Sequence, residues 1–171
     1  MKRMMFIIMF VLFVLPLLGC NNASEVEIIS PCNFYYHNDL DSKENFNDVF
    51  ICEIREKSHY ADDLVQLLND YFTGPQTENL VNPYPAGLTV ISVYTEQDTT
   101  YIMLNDHIST LSGIDLTMAY TCLSLTLFDL TDCEYVEISA EKGLPANQDS
   151  VLFEKSMVIF TDNTQLPNNA E

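Results

Sequence analysis

Residues 116–139 constrain the fold of this chain more than any other stretch, because their hydrophobic pattern changes from helical to alternating partway along. The first part carries apolar side chains three or four residues apart, which lines one face of a helix, at Leu116, Ala119, Tyr120, Leu123, Leu127 and Leu130. A polar turn follows at 129–134. Beyond it, Val136 and Ile138 share one face of a strand. We therefore predict a core helix, a tight turn and a central strand.

A strand is the competing interpretation of the first part of this stretch. Leu123, Leu125 and Leu127 alternate with Ser124 and Thr126, as the residues of a half-buried strand would. Length favours the helix, because the whole stretch passes without a glycine or a proline.

The chain begins with the pattern of an export signal. Lys2 and Arg3 supply a positively charged start, and residues 4–18 are apolar throughout, with a conformational break at Pro16. This run is shorter than the roughly 20 residues that a membrane-spanning helix needs. Its length and its flanks are those of a signal peptide.

The run ends in Leu17-Leu18-Gly19-Cys20, which resembles the lipobox of bacterial lipoproteins. The resemblance implies that residues 1–19 are removed and that the Cys20 thiol takes a diacylglyceryl group. The protein would then be anchored on the extracytoplasmic face of the cell membrane, with residues 20–30 as a tether. The competing interpretation is an ordinary secretory signal in which Cys20 occurs by chance.

Acidic residues dominate the charge of the chain. The formal net charge is −18 at pH 7, and loss of Lys2 and Arg3 with the signal would make the remainder more acidic still. Such a surface repels the phosphates of nucleic acids, so we expect no nucleic-acid partner. Basic proteins, cations and neutral glycans remain as partners. The competing interpretation is a solvated exterior, because the charges are spread along the chain rather than blocked.

Two segments rich in strand formers, residues 32–37 and 49–55, flank a polar loop. A chain that folds back symmetrically about Ser42 places Cys32 opposite Cys52. We therefore predict that these two side chains are adjacent and that a disulfide between them is geometrically feasible. The competing interpretation treats the cysteines as small apolar core residues in a compartment where disulfides are sparingly used.

Residues 60–72 predict the first helix. Ser58 is the expected N-cap, and acidic side chains such as Asp63 occupy the first turn, where the helix dipole favours them. The Gly-Pro pair at 74–75 ends the helix, because glycine adopts the left-handed conformation and proline cannot continue it.

A hairpin and a final strand complete the pattern. Residues 88–94 and 100–104 are expected to pair across a polar turn, and residues 151–160 form either an edge strand or a small hairpin. The order strand, strand, helix thus occurs twice. We predict an α+β fold, a two-layer sandwich with two helices on one face of a mainly antiparallel sheet. The domain would span 31–162, with a disordered tail at 163–171.

No motif predicts catalysis. His37, His59 and His107 each have an aspartate nearby, but none has a second histidine at zinc-ligand spacing. A nucleophile elbow and a glycine-rich phosphate loop are both absent from the sequence. We expect no catalytic residues, no metal site and no cofactor.

A further set of short motifs follows in a fixed order: Leu67-Leu68, Gly74-Pro75, Pro85-Ala86-Gly87, Thr126-Leu127 and Val136-Glu137-Ile138. Together they resemble the GerMN domain of sporulation and spore germination proteins, over residues 33–142. The chain departs from the family in its hairpin turn, which lacks the usual glycine, and in the strand after it, which ends Met103-Leu104-Asn105-Asp106. The stretch after Gly143 is additional.

The resemblance implies a lipid-anchored, extracytoplasmic protein of Gram-positive, often spore-forming bacteria, without a known active site. It implies a binding or assembly role with a protein or peptidoglycan partner in spore formation, germination or another envelope process. Oligomerisation is open, because only one copy of the domain is present. The alternative function is an envelope enzyme that acts on cell-wall glycan, or an accessory to one.

Overall fold

Two β-sheets and a long helix that contacts both of them make up the fold. The computed structural model describes residues 31–38, 49–56 and 63–158. The following predicted features lie outside these residues: the signal segment 1–19, Cys20, the tether 20–30, Ser58, His59, the end of the domain at 159–162 and the tail 163–171.

The elements follow one another in the order β1 (Pro31–Asn38), β2 (Phe50–Glu56), α1 (Leu64–Tyr71), β3 (Leu80–Val81), β4 (Val90–Glu96), β5 (Thr99–Leu104), α2 (Gly113–Thr131), β6 (Tyr135–Leu144), β7 (Gln148–Glu154) and α3 (Lys155–Val158). The first sheet has the strand order β2-β1-β3, and the second has the order β4-β5-β6-β7. Neighbouring strands are antiparallel except β5 and β6, which are parallel. The predicted α+β class is confirmed, but the strands form two sheets instead of one.

α2 is the predicted core helix, and it is covered on almost every side. Its buried residues are Ala119, Tyr120, Cys122, Leu123, Ser124, Thr126, Leu127 and Phe128. On one side Thr126 Oγ1 accepts a hydrogen bond from the backbone N–H of Tyr35 in β1, at 3.0 Å. On the other, the hydroxyls of Thr131 and Thr100 in β5 lie 2.8 Å apart. Because the helix contacts both sheets, it needs no polar face, and the strand interpretation of this stretch is wrong.

The predicted pairing of Cys32 with Cys52 is also wrong. Cys32 lies opposite Arg55, and Cys52 lies opposite Tyr35, so the register differs from the symmetric one by three residues. An odd shift moves every side chain to the other face of the sheet. Cys32 is accordingly buried and Cys52 is exposed. A disulfide between them does not fit this sheet, because their side chains point to opposite faces.

α1 begins at Leu64 rather than at residue 60. Asp63 has non-helical backbone angles, and its carboxylate accepts a hydrogen bond from the N–H of Gln66 at 3.1 Å. Asp63 is therefore the N-cap and not a residue of the first turn. The predicted end is confirmed, since Gly74 has a φ of 113° and Pro75 follows it.

The hairpin of β4 and β5 turns at Gln97 and Asp98, within the predicted turn. β7 pairs with β6 as an edge strand of the second sheet. The edge-strand interpretation of the last apolar stretch is thus correct, although the strand begins earlier than predicted. The competing hairpin is wrong, because Lys155 starts the short helix α3.

Candidate functional site

The second sheet has one buried face and one that contacts solvent. Its buried face consists of Thr100, Ile102, Leu104, Val136, Ile138 and Ala140, together with partly buried side chains of β4 and β7. Side chains alternate along a strand, so the intervening residues point the other way. We call them the outer face: Ser92, Tyr94, Glu96, Thr99, Tyr101, Met103, Tyr135, Glu137, Ser139, Ser150, Leu152 and Glu154.

Cross-strand pairing brings large side chains of the outer face together. Tyr94 lies opposite Tyr101, Tyr101 lies beside Glu137, and Glu137 lies opposite Leu152. The rings of Tyr94 and Tyr101 stack, with centroids 5.0 Å apart and planes inclined by 15°. Tyr94 is 56% exposed and Leu152 is 59% exposed. The row is therefore an open aromatic and aliphatic platform, and exposed apolar patches rimmed by polar residues mark interaction sites.

The charge of the outer face is negative. Glu96, Glu137 and Glu154 belong to it, and Glu154 accepts a 2.5 Å hydrogen bond from the Ser156 hydroxyl. In the part of the chain that the structure describes, every lysine and arginine is paired with another carboxylate: Arg55 with Glu53, Lys142 with Asp106, and Lys155 with Asp132. These three glutamates thus have no cationic side chain of the described residues as a partner.

A cleft of about 230 Å³ lies beside the ends of β1 and β3 and the start of α2. It is lined by His37, Val81, Asn82, Pro83, Tyr84, Pro85, Leu111 and Asp115. The Nδ1 atom of His37 lies 2.9 Å from the carbonyl oxygen of Asn38. The Asn82 amide is also engaged, since it donates to the carbonyl of Phe72 at 3.1 Å. Three of the eight lining residues, His37, Asn82 and Asp115, are polar, and the others present mainly hydrophobic surface to the cleft.

The other candidate residues are held in separate parts of the fold. His107 Nδ1 lies 2.9 Å from the Ala86 carbonyl, and the ring packs where a side chain at Gly87 would otherwise lie. Burial raises the pKa of Cys122 to about 12, so this thiol is a core group. Within 31–38, 49–56 and 63–158, no group of three or more His, Cys, Asp and Glu residues is placed to hold a metal ion.

A buried ion pair, which the sequence interpretation missed, joins β2 to the loop after α1. Arg55 Nε lies 2.5 Å from Glu53 Oε1, and both side chains are at most a tenth exposed. Glu53 Oε2 accepts hydrogen bonds from the backbone N–H groups of Gln76 and Thr77, at 2.9 and 2.6 Å. Burial alone would raise the pKa of Glu53, but the hydrogen bonds from Thr77 and Arg55 outweigh it and lower the pKa below its ordinary value.

Tyrosines extend this network into the core. Arg55 donates to the Tyr36 hydroxyl at 2.9 Å and to the Gly74 carbonyl at 2.8 Å. The Tyr36 hydroxyl in turn donates to the Tyr71 carbonyl at 2.8 Å. Since every member has a partner inside the fold, the network holds β1, β2 and α1 together.

Residues 33–142, well over half of the sequence, match the model of the Germane family, which is described as "Sporulation and spore germination". The chain belongs to the Germane family. No curated protein matches it.

Two solved structures share the Germane fold with this chain. The first GerMN domain of the sporulation protein GerM from Bacillus subtilis is 15% identical, with a TM-score of 0.54, over 71% of this chain and 93% of that chain. The tandem GerMN domains of the same protein are 16% identical, with a TM-score of 0.52, over 78% of this chain and 47% of that chain. This chain thus spans about half of the tandem structure. At these identities the likeness concerns the fold.

The Germane match confirms the resemblance predicted over residues 33–142. It ends within β6, so β7 lies beyond it, with Leu152 and Glu154 of the outer face. None of the helices in the described ranges is both long and apolar enough to cross a membrane.

Proposed function

We propose that this protein is a non-catalytic binding or assembly module, anchored by lipid on the extracytoplasmic face of the membrane, that serves spore formation, germination or a related envelope process. The observation that carries the proposal is the combination of a Germane domain at 33–142 with the Leu-Leu-Gly-Cys sequence that ends the apolar run at Cys20.

The anchor follows from the chemistry of Cys20. The thiol stands where the apolar run stops and a polar segment begins, which is where a lipidated N-terminus has to lie. One acyl chain gives only marginal membrane binding, whereas two or more hold a protein stably. A diacylglyceryl group on Cys20 therefore supplies enough apolar surface for retention.

The binding role is supported by what the domain offers to a partner. The outer face presents the stacked pair Tyr94 and Tyr101, with Leu152 in the same row. The polar groups of the buried network formed by Glu53, Arg55 and Tyr36 make their hydrogen bonds within the fold. A surface with aromatic anchors and an internally satisfied polar network is suited to recognition rather than to bond cleavage.

Fractionation of cells that express the full chain tests the anchor. The wild-type protein should partition into the detergent phase and carry lipid mass on its N-terminal peptide. Cys20→Ala should abolish the lipid mass and leave the protein as precursor or in the medium. Cys52→Ala is the matched control, since it removes an exposed cysteine of the domain and should leave the lipid mass unchanged. Detergent partitioning of Cys20→Ala equal to that of wild type would contradict the proposal.

The binding role has its own test. Wild-type protein is crosslinked on intact cells during growth and during spore formation, and the crosslinked species are compared by mass. We expect stage-dependent adducts that persist when His37 is changed to Ala, because a binding module does not need that imidazole. Hydrolysis of purified cell wall by the pure protein, lost in the His37→Ala variant, would instead establish the enzymatic alternative.

A further inference from the structure

We propose that the outer face of the second sheet binds a cationic, partly apolar polypeptide segment of another protein. This inference rests on the proposed binding function and deepens it, because it names the surface and the chemistry of the partner. Three features of the outer face support it: its aromatic platform, its unpaired charge and its dimensions.

The platform provides the apolar part of the contact. The rings of Tyr94 and Tyr101 stack on each other, and Tyr94 remains more than half exposed. Tyrosine buries a large area at a low cost in side-chain entropy, which is why it is enriched at interfaces. Leu152, two strands away from Tyr101 in the same row, adds an exposed aliphatic group.

The glutamates determine the sign of the charge that the partner must carry. Glu137 lies within the platform row, between Tyr101 and Leu152, and Glu96 and Glu154 occupy the two ends of the next row. The described lysines and arginine are all paired elsewhere, so this charge is available to an incoming cation. A lysine or arginine of the partner would gain an ion pair with Glu137 and a cation–π contact with the tyrosine rings beside it.

The same charges argue against the other envelope polymers. An anionic polymer such as one rich in phosphates or carboxylates would be repelled by three glutamates and by the net charge of the chain. A neutral glycan could stack on the tyrosines, but it would leave the carboxylates without a cation. A basic polypeptide satisfies both the rings and the charges, and long-range attraction to so acidic a protein would speed its association.

The dimensions fit a short segment. Neighbouring strands lie about 4.8 Å apart, so the outer face is about 14 Å wide from β4 to β7. An extended chain covers this width with about four residues, and a helix with between two and three turns. Glu96 and Glu154 stand at opposite edges, so basic side chains about 14 Å apart on one side of the segment can meet both.

The test measures the affinity of full-length protein in detergent for a synthetic amphipathic peptide of alternating lysine and leucine. Two further probes are the same peptide with glutamate in place of lysine, and a neutral disaccharide fragment of cell wall. We expect binding of the lysine peptide alone, with an affinity that falls as salt is raised. Retained circular dichroism and thermal unfolding show that each variant is folded.

Matched pairs of variants separate a specific site from general attraction to an acidic protein. Glu137→Gln should weaken the lysine peptide about two- to fivefold, as the loss of an exposed charge pair does. Glu78→Gln removes the same charge from an exposed loop and should change the affinity less than about 1.5-fold, the effect of net charge alone. Leu152→Ser should weaken binding about fivefold or more, whereas Ile54→Ser, on the edge strand β2 of the first sheet, should not.

The remaining outcomes overturn the inference. Equal weakening by Glu137→Gln and Glu78→Gln would mean non-specific attraction. Binding of the disaccharide, lost with Tyr94→Ser and insensitive to salt, would assign the outer face to glycan instead. No binding of any probe would show that the outer face is not a docking surface. None of these outcomes decides the proposed function, which is tested independently by the lipid mass on Cys20 and by the crosslinked adducts formed on cells.

Discussion

The hydroxyl of Tyr71 in α1 donates a 2.5 Å hydrogen bond to the backbone carbonyl of Tyr35 in β1. Because its single hydrogen is used there, the Tyr84 hydroxyl, 2.7 Å away, is the donor in the bond between the two tyrosines; its second acceptor is the more distant Ala119 carbonyl, at 3.4 Å. Tyr71 is fully buried, and burial raises its pKa well above the ordinary value, so the neutral donor persists. This contact fixes the first helix on the first sheet.

Tyr71→Phe should therefore destabilise the domain by about 1–3 kcal/mol, because it leaves the Tyr35 carbonyl without its donor and the Tyr84 hydroxyl with only its 3.4 Å contact to the Ala119 carbonyl. Urea unfolding followed by circular dichroism measures the change. Tyr94→Phe is the control, since it removes an exposed hydroxyl and should change the free energy of unfolding by less than about 0.5 kcal/mol. Equal effects of the two changes would mean that the Tyr71 contact does not stabilise the fold.

Arg55→Met should cost about 3–5 kcal/mol, the range found when one partner of a buried ion pair is removed. Methionine keeps much of the length of the side chain but leaves the Glu53 carboxylate buried without its cation. Lys155→Met is the control, because its ion pair with the exposed Asp132 is long, at 3.5 Å, and should contribute less than about 1 kcal/mol. A smaller loss for Arg55→Met than for Lys155→Met in urea unfolding would refute this role of the network.

Glu53 should also make stability depend on pH. Its folded-state pKa is lower than the ordinary value of 4.5, so its contribution is fully present above that value. The contribution is lost as the pH falls through the folded-state pKa, because the carboxylate is protonated there. The free energy of unfolding should thus fall below pH 4.5 less steeply in Glu53→Gln than in the wild type or in Glu78→Gln. Parallel pH profiles for all three proteins would contradict the assignment.

Leu68→Ala should cost about 2–5 kcal/mol, since Leu68 is fully buried in the core between α1 and the sheets. Leu64, at the start of the same helix, is only partly buried, so Leu64→Ala should cost clearly less. Denaturant unfolding of the two variants measures both losses in the free energy of unfolding and shows which is larger. The reverse order would mean that α1 is rotated relative to the structure.

The long helix could be read from the sequence because its information is local. Apolar side chains at helical spacing, an uninterrupted stretch and a polar turn determine α2 and the start of β6 without reference to any other segment. The same holds for the end of α1, where Gly74 and Pro75 act within a few residues.

The division into two sheets and the register of β1 with β2 could not be read, because they depend on distant contacts. The midpoint of a connection does not determine which residues pair. The register is instead consistent with Glu53 and Arg55, whose charged side chains point into the fold and meet the Thr77 N–H and the Tyr36 hydroxyl. The sequence predicted only part of the outer face. The alternation of Val136, Glu137 and Ile138 predicted which way the Glu137 side chain points, but not that Tyr101 and Leu152 lie beside it.

The most direct measurement of the central claim is site-specific photo-crosslinking on intact cells. A benzophenone side chain replaces Leu152 on the outer face in one protein and Ile54 on the first sheet in another; both positions are exposed and both lie on edge strands. We expect an adduct from position 152 whose crosslinked partner peptide contains lysine or arginine beside apolar residues, and none from position 54. An adduct confined to position 54, or a partner peptide without basic residues at position 152, would contradict the claim.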